Sequence, residues 1–354
     1  MIKKLLLIGS NSVHTYNFYA LVKPFFEEIV VITTSDSDFV DEKMTHHYTL
    51  DASLHNPLNY FPAVRKLRAI IQNENPDIIH IQQIVTYHFL TLRAIRKINI
   101  PTVATAWGSD ILLNPQKGFF YKKMVQYCLN HTNYLTADAQ FIGDKMQQLS
   151  KKKLSVTIAN FGIDDVNDTL IHKENLIYSN RLLNKLYRTD SIIDAFHRFH
   201  EKEAYRDWKL VIAGTGTEDE NLKKLVSDLE LTEVVQFVGW QTREDNLQWY
   251  AKSKIWIAYP ESDATSISLL EAMSLRCIPM ITDLPATREW ISNGENGCLI
   301  KDLSSFQIEK ALEIPYDDLV MKNREIIENM ATKLANQKKF VAIYQSIMNH
   351  QNEK

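Results

Sequence analysis

Cysteine is scarce: the 354 residues contain three, Cys128, Cys277 and Cys298, and no CxxC pair. An odd number cannot close an even disulfide set, so a disulfide scaffold is excluded and a reducing, cytoplasmic setting is expected. Long apolar runs are missing too. No stretch approaches the roughly 20 apolar residues that cross a bilayer, so any membrane contact is expected to be peripheral. The opening MIKKLLLIGSNS has an apolar run of about five residues and no A-x-A site, too little for a signal peptide, and reads as a buried first strand. Nor does one charge dominate. A formal net charge of -3 argues against a nucleic-acid binder that works by neutralising phosphates. The slight basic excess lies in residues 1–165, a hint that this half faces an anionic surface. Low-complexity tracts are absent.

What is present is a well-packed composition, 45% hydrophobic and 23% charged, in a chain long enough for two cores. Short apolar, β-rich runs at 4–9, 28–33, 77–82, 101–107, 133–138 and 155–160 alternate with helical stretches such as FPAVRKLRAIIQN at 61–73. Such runs are strands buried on both faces by crossover helices. A second series follows at 175–180, 208–214, 234–239, 254–259, 278–283 and 297–300. The fold class is therefore α/β, with two Rossmann-like, doubly wound domains facing across a cleft. The expected boundaries are 1–165 for the first domain, 166–330 for the second, and 331–354 for a closing helix that packs back toward the first.

Ligands in open α/β sheets sit beyond the carboxyl ends of the strands. The stretch SDATSISLLEAM, residues 262–273, occupies such a place, after the run KIWIAYP. A helix starting near Ser266 or Ile267 offers free N–H groups and partial positive charge to phosphate oxygens. Glu271 can accept hydrogen bonds from two adjacent hydroxyls, as on a ribose. At 1.5 Å per helical residue, Asp263 and Glu271 stand roughly 10 Å apart. That is too far to share a proton and suits two ends of one ligand. A cap at Asp263 or Ser266 followed by a solvated Glu271 fits the local pattern equally well.

The segment 259–300 resembles the donor-binding core of retaining family 4 glycosyltransferases of the GT-B fold. Their E-x7-E motif is matched by Asp263-x7-Glu271, their EAM(A)xGxPV strand entry by EAMSLRCIP, and their NGxNG turn by NGENG. WGSDIL near 107, FGID near 161, SNRLL near 179, LVIAGTG near 210 and VQFVGW near 235 follow in the family's order. The resemblance implies that Glu271 holds the donor ribose and that Asp263 holds hydroxyls of the transferred sugar. Backbone amides at Thr265, Ser266 and Ile267 would meet phosphate or sugar, with Gly9 and Ser10 after the first strand also on the nucleotide-sugar side. Arg181 matches the arginine that neutralises the diphosphate leaving group, a task suited to a permanently charged fork. The lysine that usually follows is offered by Lys185, with Arg188 at a neighbouring offset. The implied catalytic set is Arg181, Lys185 and Asp263, and no side-chain base is required, because the departing phosphate oxygen accepts the nucleophile's proton.

Two positions depart from the family pattern. Asp263 is a methylene shorter than the family's glutamate, so its carboxylate retracts by roughly 1.5 Å. Trp107 stands where many relatives carry histidine, and could stack on a sugar face. His14 is the replacement candidate, making His14, Trp107 and Asp110 the acceptor-side set. Metal signals are poor: Asp36-Ser37-Asp38 reads as a turn and His197/His200 as a wet helix face, so metal-independent transfer without a cofactor is expected. Gly214-Thr215-Gly216 lacks a third glycine at Asp219 and adds little for a dinucleotide. Residues 115–131, PQKGFFYKKMVQYCLNH, mix Phe119, Phe120 and Tyr121 with Lys117, Lys122 and Lys123, which fits an interfacial helix or a packed helix with a lysine edge.

The expected activity is transfer of a hexosyl group from a UDP- or GDP-linked sugar to a glycan or polyprenyl-linked acceptor. This would serve cell-surface polysaccharide synthesis, in the cytoplasm or against the inner face of the membrane. A GT-B sugar-nucleotide epimerase would instead convert donor without acceptor. A non-catalytic sugar-nucleotide-binding protein would do neither.

Overall fold

The computed structural model describes residues 2–53, 57–164 and 172–352. The chain divides into two compact units, one made of residues 1–161 with 333–354 and the other of residues 162–332. The divisions fall a few residues from the expected 165/166 and 330/331.

In the first unit the strands are β1 (Ile2–Ile8), β2 (Phe26–Thr33), β3 (Met44–Thr49), β4 (Ile78–Gln82), β5 (Thr102–Ala106), β6 (Tyr134–Ala137) and β7 (Val156–Ile158). All pair in parallel, in the order β3-β2-β1-β4-β5-β6-β7. β3 was not expected. Its sequence, MTHHYT, is an edge strand with no fully buried position, so it lacks the apolar run that marked the others. The closing helix Lys333–Asn352 belongs to this unit. Phe340 meets Phe18 edge-on at 4.9 Å, the Tyr344 hydroxyl lies 2.7 Å from His80 Nδ1, and Gln337 donates to the Leu21 carbonyl.

In the second unit β8 (Glu174–Asn180), β9 (Lys209–Ala213), β10 (Val235–Gly239), β11 (Ser253–Ala258), β12 (Ile278–Thr282) and β13 (Cys298–Ile300) pair in parallel in the order β10-β9-β8-β11-β12-β13. Alternate residues of these strands feed two cores, one on each face. Ile177, Ile212, Ile255 and Ile257 enter one core, and Tyr178, Val211 and Trp256 enter the other. Each such aliphatic side chain contributes roughly 1.5–3 kcal/mol by leaving water.

Strand order reverses between β1 and β4 in one sheet and between β8 and β11 in the other. At such a switch point the two loops leaving the strands diverge to opposite faces and open a crevice. Arg181 follows β8 and Asp263 follows β11, which puts both at the crevice of the second unit.

Candidate functional site

Arg181 is the hub of the second unit's crevice. Its Nη2 donates to Asp263 Oδ2 at 2.7 Å and its Nη1 to Ser266 Oγ at 2.7 Å, while the guanidinium lies 4.6 Å from the centre of the Tyr187 ring. Burial works against the charge of Arg181, but Asp263 and Tyr187 outweigh it and hold its pKa above the usual value. Burial pushes the Asp263 carboxyl up despite the opposing pull of Arg181. Both side chains are mostly enclosed, at 13% and 17% exposure.

The residue before Arg181 is pinned from below. Asn180 accepts from the Trp256 indole N–H at 2.8 Å and donates to the Tyr250 hydroxyl and to Asn246. From the side, the loop Gly214–Gly216 presses on the backbone of residues 181–183. A Cβ on Gly214 would stand 2.2 Å from the Arg181 carbonyl, and one on Gly216 would stand 2.1 Å from the Leu183 carbonyl. Leu183 N donates to the Thr215 carbonyl, and Glu218 N to that of Leu183. The two glycines are thus required by close packing against the arginine loop.

Ser266 is the N-cap of the helix Ile267–Ser274, its Oγ accepting from Leu269 N. The cap reading and the ligand reading of this residue are therefore compatible. Asp263 Oδ1 accepts from Ala264 N, so the shortened acid both braces its own turn and meets Arg181. The first amides of the helix, at Ile267 and Ser268, have no acceptor within it, as at any helix start. Thr265 sits in the same turn, half-buried. Lys185, in a short 3-10 turn, is exposed and has no partner among the described residues. Arg188 is differently engaged. Its guanidinium donates to the carbonyls of Tyr259 and Pro260 and lies 3.8 Å from the Tyr259 ring centre. It braces the loop after β11, which leaves Lys185 as the free cation of the two.

Glu271 is 8% exposed. Its Oε1 lies 3.5 Å from Arg243 Nε, and Arg243 Nη1 reaches Asp164 Oδ2 at 2.7 Å. Burial raises the pKa of Glu271, and Arg243 and the Tyr250 hydroxyl pull it back. Arg243, Tyr250, Asn180 and Asn246 were not anticipated from the sequence. For Arg243 a signal existed: it opens the helix Arg243–Lys252, where the helix dipole disfavours a cation, so something else must hold it there.

In the first unit, Gly9 follows β1 and lets Thr15 close over the turn, a Cβ there standing 2.4 Å from Thr15 Oγ1, which donates to the Ser10 carbonyl. The Ser10 and Ser12 hydroxyls are 3.0 Å apart. His14 is exposed by area, yet apolar surroundings lower its pKa. It stacks on Phe161 at 5.4 Å, and Phe161 stacks on Trp107 at 3.9 Å. One face of the Trp107 ring is thereby taken, and its N–H donates to Gln82 Oε1 at 2.9 Å. The expectation that Asp110 faces an acceptor is corrected. It is 1% exposed and its carboxylate accepts from the amides of Ile84 and Trp107, because the turn after β5 folds it inward to brace the loops following β4 and β5. Burial pushes its pKa up to about 6.

The aspartates of Asp36-Ser37-Asp38 lie in the loop after β2, where Asp36 accepts from Thr49 Oγ1. No group of three or more His, Cys, Asp or Glu side chains suited to a metal ion occurs among the described residues. Among them, too, no helix is long and apolar enough to cross a membrane.

The family model described as glycosyl transferases group 1 matches residues 164–333, and that described as glycosyl transferase 4-like matches residues 3–139. N-acetyl-alpha-D-glucosaminyl L-malate synthase of Bacillus anthracis is 23% identical over 282 residues, covering 73% of this chain and 70% of that protein. An uncharacterized glycosyltransferase of Haemophilus influenzae is 23% identical over 339 residues, covering 88% and 82%. Among solved structures, Anabaena HepE in complex with UDP superposes with a TM-score of 0.79 at 14% identity, covering 97% of this chain and all of that one. A glycosyltransferase of Rickettsia africae superposes with a TM-score of 0.80 at 15% identity, covering 98% of each chain. With family models matched in order along both units and two parallel sheets of the expected kind, the chain belongs to the GT4-type glycosyltransferases of the GT-B fold.

Proposed function

We propose that this glycosyltransferase moves a hexosyl group, with retention of anomeric configuration, from a nucleotide sugar to a glycan or lipid-linked acceptor of a cell-surface polysaccharide. The observation that carries this reading is the triad of Arg181, Asp263 and Ser266 at the β8/β11 switch point, with Glu271 one turn further along the same helix. Arg181, Lys185 and the amides of Thr265, Ser266 and Ile267 meet the diphosphate, Glu271 meets the ribose, and Asp263 meets hydroxyls of the sugar. As the anomeric C–O bond breaks, its electron pair goes to the phosphate oxygen, where these cations and dipoles already point. Charge held in place before the bond breaks stabilises the transition state more than anything else the site can offer. The acceptor oxygen bonds to the same face of the sugar and passes its proton to the departing phosphate. That leaves no step for a metal ion or a cofactor, so added chelator should not change the rate.

The UDP seen in Anabaena HepE supports a UDP-linked donor. His14 and Trp107 serve the acceptor side. Phe119 and Phe120, 78% and 57% exposed beside Lys122 and Lys123, supply the peripheral contact with an anionic membrane face. Lack of binding to anionic vesicles at low salt would remove that last element.

The test is a thermal-shift screen of UDP- and GDP-linked sugars, followed by mass spectrometry of the products and NMR of the new anomeric centre. A stabilising nucleotide sugar and an axial or equatorial linkage matching that of the donor are expected. A UDP-soaked crystal with the ligand lodged away from Arg181 and Glu271 refutes the assignment.

A further inference from the structure

The proposed function places the phosphates of the donor at Ser266 and the ribose at Glu271, and the following step rests on that reading. Phosphate, ribose and base come in fixed covalent order. The base must then lie beyond Glu271 in that order, and the start of the helix Arg243–Lys252 touches Glu271, with Arg243 Nε 3.5 Å from Glu271 Oε1. Arg243 is a half-open group: Asp164 anchors one nitrogen at 2.7 Å, while the side chain keeps 42% exposure. Three residues earlier in the same turn, Trp240 is 69% exposed, a flat apolar surface suited to a base's π-face.

We propose that Arg243 reads the nucleobase of the donor and selects bases that carry a carbonyl oxygen at pyrimidine position 4 or purine position 6, uracil or guanine, over those that carry an amine there, cytosine or adenine. The chemical reason is that a guanidinium has five donors and no acceptor. Uracil O4 and guanine O6 satisfy it, as in bidentate arginine contacts to guanine O6 and N7. The amines of cytosine and adenine at the equivalent edges turn a donor toward a donor, so the N–H groups of the guanidinium that Asp164 and Glu271 do not engage gain no acceptor from the base. Asp164 holds the arginine while it does this, so the fork is oriented before the ligand arrives.

The experiment is calorimetric titration of UDP, GDP, CDP and ADP into the full chain and into Arg243→Met and Arg243→Lys, with dUDP as a control. The wild-type protein should bind UDP or GDP about tenfold or more tighter than CDP and ADP. Arg243→Met should shrink that preference to about threefold or less by weakening the favoured nucleotide alone, and Arg243→Lys should fall between. The ratio of UDP to dUDP affinity, which reports the ribose contact at Glu271, should survive in Arg243→Met. An unchanged base preference in Arg243→Met, no preference in the wild type, or an equal loss of all nucleotides together with the UDP/dUDP ratio overturns the assignment and leaves Arg243 as a support for Glu271. Failure of the wild-type protein to bind any of the four overturns the proposed donor site as well.

Discussion

Arg181 and Asp263 are 82 residues apart in sequence, and their side chains meet at 2.7 Å. They meet because β8 and β11 are neighbours in the sheet and both loops leave the same edge. The same guanidinium holds Ser266 through its other nitrogen, so one planar fork joins the proposed sugar-binding acid to the cap of the helix proposed to meet the phosphates.

Replacing Arg181 with Ala should lower turnover about 10²–10³-fold, the scale seen on removing one charge-stabilising donor from a transition state. Arg181→Lys should be nearly as poor, because a single ammonium cannot hold Asp263 and Ser266 together in the geometry of a fork. Steady-state kinetics on variants with wild-type circular dichroism decide it, and near-normal transfer by either protein refutes the role.

Gly216→Ala puts a methyl group where the Leu183 carbonyl already stands, 2.1 Å away. The loop carrying Arg181 must then shift, at a cost of about 1–3 kcal/mol for overpacking. Denaturant midpoint and UDP affinity should fall together. A stable variant with unchanged UDP affinity would show that the glycine loop does not set the position of the arginine.

Asp110 predicts a pH dependence of stability. Its folded pKa, about 6, lies above the usual 3.8, so the folded state holds a proton that the unfolded chain has released between these values. Stability should therefore be highest below pH 3.8 in this respect. It should decline as pH rises, by up to about 1.4 kcal/mol per unit, and level off above pH 6. Asp110→Asn should flatten that part of the profile. Urea titrations of both proteins from pH 3.5 to 7 measure it, and identical slopes would mean that Asp110 ionises normally.

Arg276 closes the helix Ile267–Ser274 in the left-handed region, at φ 61°. Cys277 N bonds back to the Ala272 carbonyl across it. This is a position that favours glycine, and the family pattern carries glycine near it. Arg276→Gly should stabilise the protein by about 1 kcal/mol, raising Tm by about 2–4 °C for a domain of this size. A lower Tm would show that the arginine side chain contributes more than its backbone costs.

The sequence alone determined the elements whose physics is local. Continuous apolar runs such as LLLI and WKLVIA have no other stable place than strands covered on both faces. Ser266 could be read as a cap because capping depends on a hydroxyl within three residues of its amide. β3 escaped because an edge strand buries too little to impose a pattern. Only the tertiary structure decided the partners. Arg181 finds Asp263, Arg243 finds Glu271 and Asp110 turns inward because strand order sets which loops share an edge. That order is a global property of the sheet, to which no window of neighbouring residues gives access.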